Sequence, residues 1–354
     1  MKILLLGEFS GVHKNLKEGL VELGHRVTTA SSGDGWKNIP ADIVYAYGGY
    51  GLVNKLRRVI DPIIKLPYFI GYDVVQLINP FIFSYRINAI LQDIILQLND
   101  RVFLLAAGCD SVYCKNSDRH QYSPCETCKK IDLNDTCNFK KEELLHFNRT
   151  LADKVQGIIP IAYDYAEVYR NYRKLRKSIP LPINTKEILY KDNIVQNKLI
   201  LFHGINREGF KGTPLIQQAA EYVQQKYPND VTVIIDGKMP LNRYLEVVDQ
   251  AHVIIDQLYS QAYGVNAIYA LAKGKVVLGG SEEHSLGEFG WAQSPVINIR
   301  PSVTDIIEKF EYLIENRQQI RDWGFQGRKH VETVHDHINV AKQYVSTWSI
   351  DSRL

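Results

Sequence analysis

Apolar residues in this chain come in short blocks of strand length, separated by longer segments whose apolar positions recur at helical spacing. Lys2–Leu6, Arg26–Ala30, Asp42–Ala46, Pro67–Ile70 and Val102–Ala106 read as strands. Val12–Leu23 reads as a helix with Leu16, Leu20 and Leu23 on one side, ended by Gly24 and His25. Phe83–Leu98 and Lys140–Lys154 are further amphipathic helices, and Val155–Ile161 is the strand that follows. Lys174–Asn184 breaks this rhythm, because Pro180 and Pro182 exclude a helix and favour an extended linker. The alternation then restarts. Lys198–His203, Val231–Ile235, His252–Asp256, Lys275–Leu278 and Pro295–Ile299 are predicted strands. Pro214–Lys226, Leu241–Gln250 and Ala262–Ala272 are predicted helices, and helices continue from Val303 to Trp348.

Strands alternating with helices predict parallel sheets with crossover connections. The expected architecture is α/β, with two Rossmann-like doubly wound domains facing each other across a cleft. Residues 1–185 form the first domain, with a cysteine-rich excursion over 108–139, and residues 186–336 form the second. A terminal helix within 337–354 either stays with the second domain or returns to the first. Paired domains of this kind hold a ligand between the carboxyl ends of their strands.

A length of 354 residues suits two domains, and a net charge of +3 is too small to imply a nucleic-acid partner. The apolar start Met1–Leu6 is too short for a signal peptide, and Phe81–Leu98 is interrupted by Arg86, Asn88, Gln92 and Asp93. A cytoplasmic protein is expected, with peripheral contact at the inner face of an anionic membrane compatible with the modest positive charge. All five cysteines lie between Cys109 and Cys137. Cys125 and Cys128 have zinc-knuckle spacing, and Cys109, Cys114, Cys137 or His120 could complete a tetrahedral site. The irregular spacing of the remainder favours free thiols over a structural zinc, and no other cofactor is expected.

Three segments could carry chemistry. Gly7-Glu8-Phe9-Ser10-Gly11-Val12-His13 follows the first strand and opens a helix, so Gly11 could let backbone approach an anion and His13 could act as a base. Phe202-His203-Gly204 leads through Arg207 and Lys211-Gly212-Thr213 into another helix. Arg207 and Lys211, four residues apart around glycines, can converge on a pyrophosphate. The third runs from Asp256 through Gln261-Ala262-Tyr263-Gly264 and Asn266 to Tyr269 and Gly274. Here Gly264 and Asn266 suit a close ligand approach at a helix start, and Gly274 suits the helix end.

The last two segments, in this order and spacing, resemble the carboxyl-terminal half of family 4-type GT-B glycosyltransferases, also called glycosyl transferases group 1. Arg207 and Lys211-Gly212-Thr213 match that family's phosphate site, and Gln261 through Val277 match its E-x-F-G-x-x-x-x-E helix in spacing. The Gly7…Gly11 turn and Glu22-Leu23-Gly24-His25-Arg26-Val27 carry the resemblance into the first domain. Gln261 and Tyr269 stand where the family has its two glutamates, so the grip on the donor sugar and ribose must differ, with Asp256 or Glu282-Glu283 as compensating carboxylates.

The resemblance implies a hexosyltransferase of bacterial-type surface polysaccharide assembly that takes a nucleoside diphosphate sugar and a saccharide or lipid-linked acceptor. Catalysis would involve His13, Arg207, Lys211 and Gln261, with Gly11, Gly204, Tyr263, Gly264, Asn266 and Tyr269 lining the nucleotide. Retention of the anomeric configuration without a metal is the implied chemistry, and no D-x-D pair occupies either cleft-facing turn. The acceptor is expected near Tyr72-Asp73 and Asn79, and His13 or Asp73 as a base would give inversion instead. A sugar-nucleotide epimerase or hydrolase, or a non-catalytic nucleotide-sugar-binding subunit, are the rival readings.

Overall fold

A computed structural model of the chain describes residues 1–45, 51–125, 128, 137–205, 211–237, 239 and 241–350. The fold divides into two compact units. Unit 1 comprises Met1–Asn116, Asn138–Asn184 and Asp336–Leu354, and unit 2 comprises Ser117–Cys137 and Thr185–His335. The cysteine-bearing excursion expected inside the first domain is therefore split. Cys109 and Cys114 stay with unit 1, and the described residues between Ser117 and Cys137 belong to unit 2.

Unit 1 is built on β1 (Lys2–Leu6), α1 (Val12–Glu22), β2 (Arg26–Ser31), β3 (Ile43–Val44), α2 (Leu52–Lys65) and β4 (Val74–Leu77). It continues with α3 (Tyr85–Gln97), β5 (Val102–Ala106), α4 (Ser111–Lys115), α5 (Glu142–Lys154), β6 (Gly157–Pro160) and α6 (Tyr163–Val168). The strands are parallel in the order β3-β2-β1-β4-β5-β6, the doubly wound order of a Rossmann sheet. The central strands are apolar along their whole length because helices cover both faces: Ile3 to Leu6 and Leu104 to Ala106 are fully buried.

The predicted strand over 67–70 is instead a 3-10 turn, Leu66–Phe69, and β4 lies a few residues on. Gln76 disguised β4, since a buried amide breaks the apolar run. It is tolerated because its Oε1 accepts the indole N–H of Trp348 at 3.1 Å.

Unit 2 contains β7 (Leu199–Ile205), α7 (Thr213–Lys226), β8 (Val231–Gly237), α8 (Leu241–Gln250), β9 (Val253–Ile255) and α9 (Val265–Ala272). Then come β10 (Val276–Gly279), α10 (Glu283–Phe289), β11 (Val296–Asn298), α11 (Val303–Glu315) and α12 (Ile320–Val334). Its parallel order is β11-β10-β9-β7-β8, with the reversal between β7 and β9. Its core joins Leu201, Ile216, Val253, Ile255, Leu278 and Phe310. The last helix, α13 (His337–Ser349), packs on α1 of unit 1. Gly19 of α1 permits that contact, since a Cβ there would lie 2.1 Å from the His337 carbonyl oxygen. The Trp348 carbonyl then accepts a hydrogen bond from Arg101 at 2.7 Å.

Candidate functional site

In an open parallel sheet a ligand crevice forms outside the carboxyl ends of the strands where strand order reverses. In unit 2 that place lies between the ends of β7 and β9. His203, fully buried near the end of β7, pins it. Nδ1 donates to the Ile255 carbonyl at 3.1 Å, which leaves Nε2 to accept the Thr213 hydroxyl at 3.0 Å. Burial pushes its pKa down to about 4, so the ring is neutral and serves as a brace between β7, β9 and the start of α7.

Lys211 sits just before that helix and is only 8% exposed, with its ammonium 3.6 Å from the carboxylate of Asp256, itself 3% exposed. Leu258, two residues after Asp256, donates its N–H to the Lys211 carbonyl at 3.3 Å. Gly212 must be glycine here. Its φ is +74°, and a Cβ would meet Leu258 Cδ1 at 2.6 Å. Gly212 itself has no side chain to cap α7, so a cation adjoins a helix start with a glycine N-cap at the strand-order reversal. Arg207, the other predicted phosphate ligand, lies outside the described residues.

The start of α9 supplies a second open helix end. Gly264 is its extended N-cap, and a Cβ there would meet nothing within 4 Å. Asn266 in the first turn is oriented by Tyr244, whose hydroxyl donates to Asn266 Oδ1 at 2.6 Å. Tyr244 in turn packs on Phe202, ring centroids 5.6 Å apart. This corrects the expectation for Gly204. A Cβ on Gly204 would lie 2.9 Å from Tyr244 Cε2, so the glycine makes room for this ring rather than for a ligand.

Other predicted residues are engaged inside the protein. Gln261 is buried, its amide nitrogen 3.3 Å from the Tyr122 carbonyl and its Oε1 hydrogen-bonded to His284 Nε2. Tyr263 is buried with its hydroxyl between His330 Nε2 at 2.9 Å and His335 Nε2 at 3.0 Å, and it stacks on Trp291. That packing replaces its expected nucleotide contact. Tyr269 is half-buried, with the Lys273 ammonium 5.8 Å above its ring. Glu282 does not stand free as a substitute carboxylate. Arg300 holds it through two hydrogen bonds of 2.8 and 2.9 Å, and Asn298 and Tyr122 each add one of 2.9 Å. Arg300, followed by these other donors, draws the Glu282 pKa down to about 2.

Tyr122 is the unforeseen member of this group. It comes from the cysteine-rich excursion, where no periodicity marks it, yet it bridges Gln261 and Glu282. Among the described residues, no three His, Cys, Asp or Glu side chains converge as a metal set.

The equivalent place in unit 1, between β1 and β4, is closed by the chain's own groups. The Glu8 carboxylate accepts the His13 and Lys14 backbone N–H groups at 3.3 and 2.9 Å, occupying the helix start that Gly11 was expected to open to a ligand. Burial raises the Glu8 pKa to about 7 even against these donors. His13 is fully buried, with Nδ1 on the Gly7 carbonyl at 2.7 Å and a pKa lowered by burial to about 4. It faces the core, so the predicted base role has no geometric footing. Asp73 lies at the amino ends of the strands, accepting the Lys2 N–H at 2.7 Å, and is also misplaced for that role. Asn79 braces the loop after β4 through Ala107 and Phe81.

No family model matches the chain, and no curated protein matches it in sequence. Its fold does match solved structures. HepE from Anabaena, in complex with UDP and glucose, aligns with a TM-score of 0.63 at 11% identity, over 99% of this chain and 100% of that one. Sucrose-phosphate synthase from Thermosynechococcus elongatus aligns with a TM-score of 0.63 at 15% identity, over 98% of each chain. UDP-GlcNAc 2-epimerase from Neisseria meningitidis, bound to UDP-GlcNAc, aligns at 0.54 and 14% identity, over 98% of this chain and 99% of that one. Two Rossmann-like domains in succession, matched over nearly the whole length of such proteins, give this chain the GT-B fold.

Proposed function

We propose that this protein is a glycosyltransferase that uses a nucleoside diphosphate sugar, held on unit 2, to extend a saccharide or lipid-linked acceptor in surface polysaccharide assembly. The observation that carries the reading is the buried Lys211–Asp256 pair at the strand-order reversal, beside the glycine N-cap of α7. A buried lysine is expensive unless something uses its charge. Its ammonium has three N–H donors and Asp256 takes at most part of that capacity, leaving directions for phosphate oxygens. The UDP and glucose in the HepE structure support a diphosphate donor of this class.

In the proposed reaction the bond between the sugar's anomeric carbon and the diphosphate breaks. Lys211, with Arg207, meets the negative charge that develops on the leaving diphosphate, and no metal is required. Gly264 and Asn266 at the start of α9 offer backbone and amide groups to the remainder of the donor. Retention is the favoured outcome, with a donor phosphate oxygen taking the acceptor's proton, because neither His13 nor Asp73 is placed as an acceptor-side base. Catalysis is proposed to occur in the cytoplasm.

The match to an epimerase keeps a second reading open. Turnover of the nucleotide sugar with no acceptor present would select epimerase or hydrolase chemistry. The engagement of Gln261 by Tyr122 and His284 likewise favours a non-catalytic binding subunit over a transferase if binding occurs with no turnover at all. Binding comes first. Nucleoside diphosphates and their sugars, tested one by one, should raise the melting temperature of the intact protein for one base only, and the rise should vanish in Lys211→Ala.

A further inference from the structure

Most of α2 is exposed, and its most exposed face is apolar. Leu52 is 83% exposed and Ile64 66%, and Val53, Leu56, Ile60 and Ile63 are exposed as well. Pro62 is the helix's one buried residue. At roughly 100° per residue, these six side chains fall within an arc of about 120° on one side of the helix. Tyr68, 62% exposed on the 3-10 turn that follows, extends the same end of the helix with an aromatic ring. An amphipathic helix normally turns its apolar stripe toward the core. This one does the reverse, and a contiguous apolar surface of that kind marks an interaction site.

Its borders say what covers it. Arg57 lies along one edge of the stripe and Lys55 along the other, and both are exposed. Asp61 is the only acid in the helix. Aliphatic residues make up the stripe, where a protein-binding surface would favour Trp, Tyr and Arg anchors in a pocket. A basic rim around an aliphatic stripe is the pattern of helices that lie in the headgroup region of an anionic bilayer. Among the described residues no helix is long and apolar enough to cross a membrane, so α2 would lie on the bilayer rather than span it.

We infer that α2 is a membrane-docking helix that inserts Leu52, Leu56, Ile60, Ile63 and Ile64 into an anionic lipid surface, with Lys55 and Arg57 on the headgroups. The inference requires nothing of the donor site, since α2 belongs to unit 1 and the Lys211 site to unit 2.

The test is flotation of the full chain with vesicles of phosphatidylcholine alone and of phosphatidylcholine containing about a third phosphatidylglycerol. The intact protein should bind the anionic vesicles at least about tenfold more tightly, and less so in high salt. Leu56→Glu with Ile60→Glu should abolish binding. Arg57→Gln should weaken it about fivefold, the effect of one charge at such a surface. These positions are exposed, so the variants should keep the intact protein's melting temperature and its response to nucleoside diphosphates. Absence of vesicle binding by the intact protein, or undiminished binding by the double variant, overturns the inference. So does a concentration-dependent dimer that the double variant dissolves while vesicles capture neither form, because the stripe then belongs to a second copy of the chain.

Discussion

The two strand-to-helix turns at the switch points of units 1 and 2 occupy the same topological position but differ in the charged groups their described residues bring to the helix start. After β1, the Glu8 carboxylate turns back onto the first N–H groups of α1, so the chain supplies its own anion. Before α7 the N-cap is Gly212, which has no side chain to cap the helix, and residues 206–210 of this turn lie outside the described residues. The carboxylate of the neighbourhood, Asp256, sits across from Lys211 instead. A helix start that carries its own carboxylate has no need of a phosphate, whereas one with a glycine N-cap beside a buried cation is suited to it. The difference is what favours unit 2 in the proposed anion site, although glycines and a following helix mark both turns alike in the sequence.

The largest expected effect breaks the cationic side of that comparison. Lys211→Ala leaves Asp256 buried without its partner and should cost about 3 kcal/mol in chemical denaturation, the usual range for halving a buried pair. Lys211→Met with Asp256→Leu should recover most of the loss, because both charges leave together. Recovery would show that the fold does not depend on the charges of the pair. Next comes the glycine that shapes the turn. Gly212→Ala places a methyl group 2.6 Å from Leu258 Cδ1 at a φ of +74°, and should destabilise by about 2 kcal/mol. Gly264→Ala, with open space and an ordinary φ, should change stability by less than about 0.5 kcal/mol.

Smaller effects test the self-capped turn through pH. The Glu8 pKa is raised from 4.5 to about 7 in the folded protein, so the native state holds a proton that the unfolded chain releases. Stability should therefore fall as pH rises from 4.5 to 7, and Glu8→Gln should flatten that slope in a denaturation series. Glu282 has the opposite sign. Its pKa is lowered from 4.5 to about 2, so the stabilisation it gives is present above pH 4.5 and is lost as pH falls toward 2. Glu282→Gln should make the acid limb of the stability curve shallower without changing the slope between pH 5 and 7.

Much of the fold is legible in the chain because parallel strands buried on both faces are continuous apolar runs, as in Ile3–Leu6 and Leu104–Ala106. Legibility fails where burial is polar or where exposure is apolar. Gln76 hides β4 inside what reads as a mixed segment, although the side chain is satisfied by Trp348 from the far end of the sequence. The helix over 52–65 escapes the pattern because its apolar stripe faces solvent and Pro62 interrupts it. At the candidate site, Lys211, Gly264 and Asn266 could be named from spacing alone. The neutral brace of His203, the placement of Tyr244 over Gly204 and the reach of Tyr122 to Gln261 and Glu282 depend on contacts between distant segments. Local spacing contains no trace of them. For the same reason His13 looks like a base in the sequence and is a core residue in the fold.

The account stands on one claim, that the Lys211 turn of unit 2 binds a nucleoside diphosphate. The most direct test is the thermal shift of the intact protein and of Lys211→Ala across the uridine, guanosine, adenosine, cytidine and thymidine diphosphates and their sugars. At a ligand concentration of about 100 times its Kd, a specific binder should stabilise the intact protein by about 2.7 kcal/mol. One base should produce this shift in the intact protein and none should produce it in the variant, each measured from its own ligand-free melting temperature. An equal shift in both proteins, or no shift with any diphosphate, would contradict the claim.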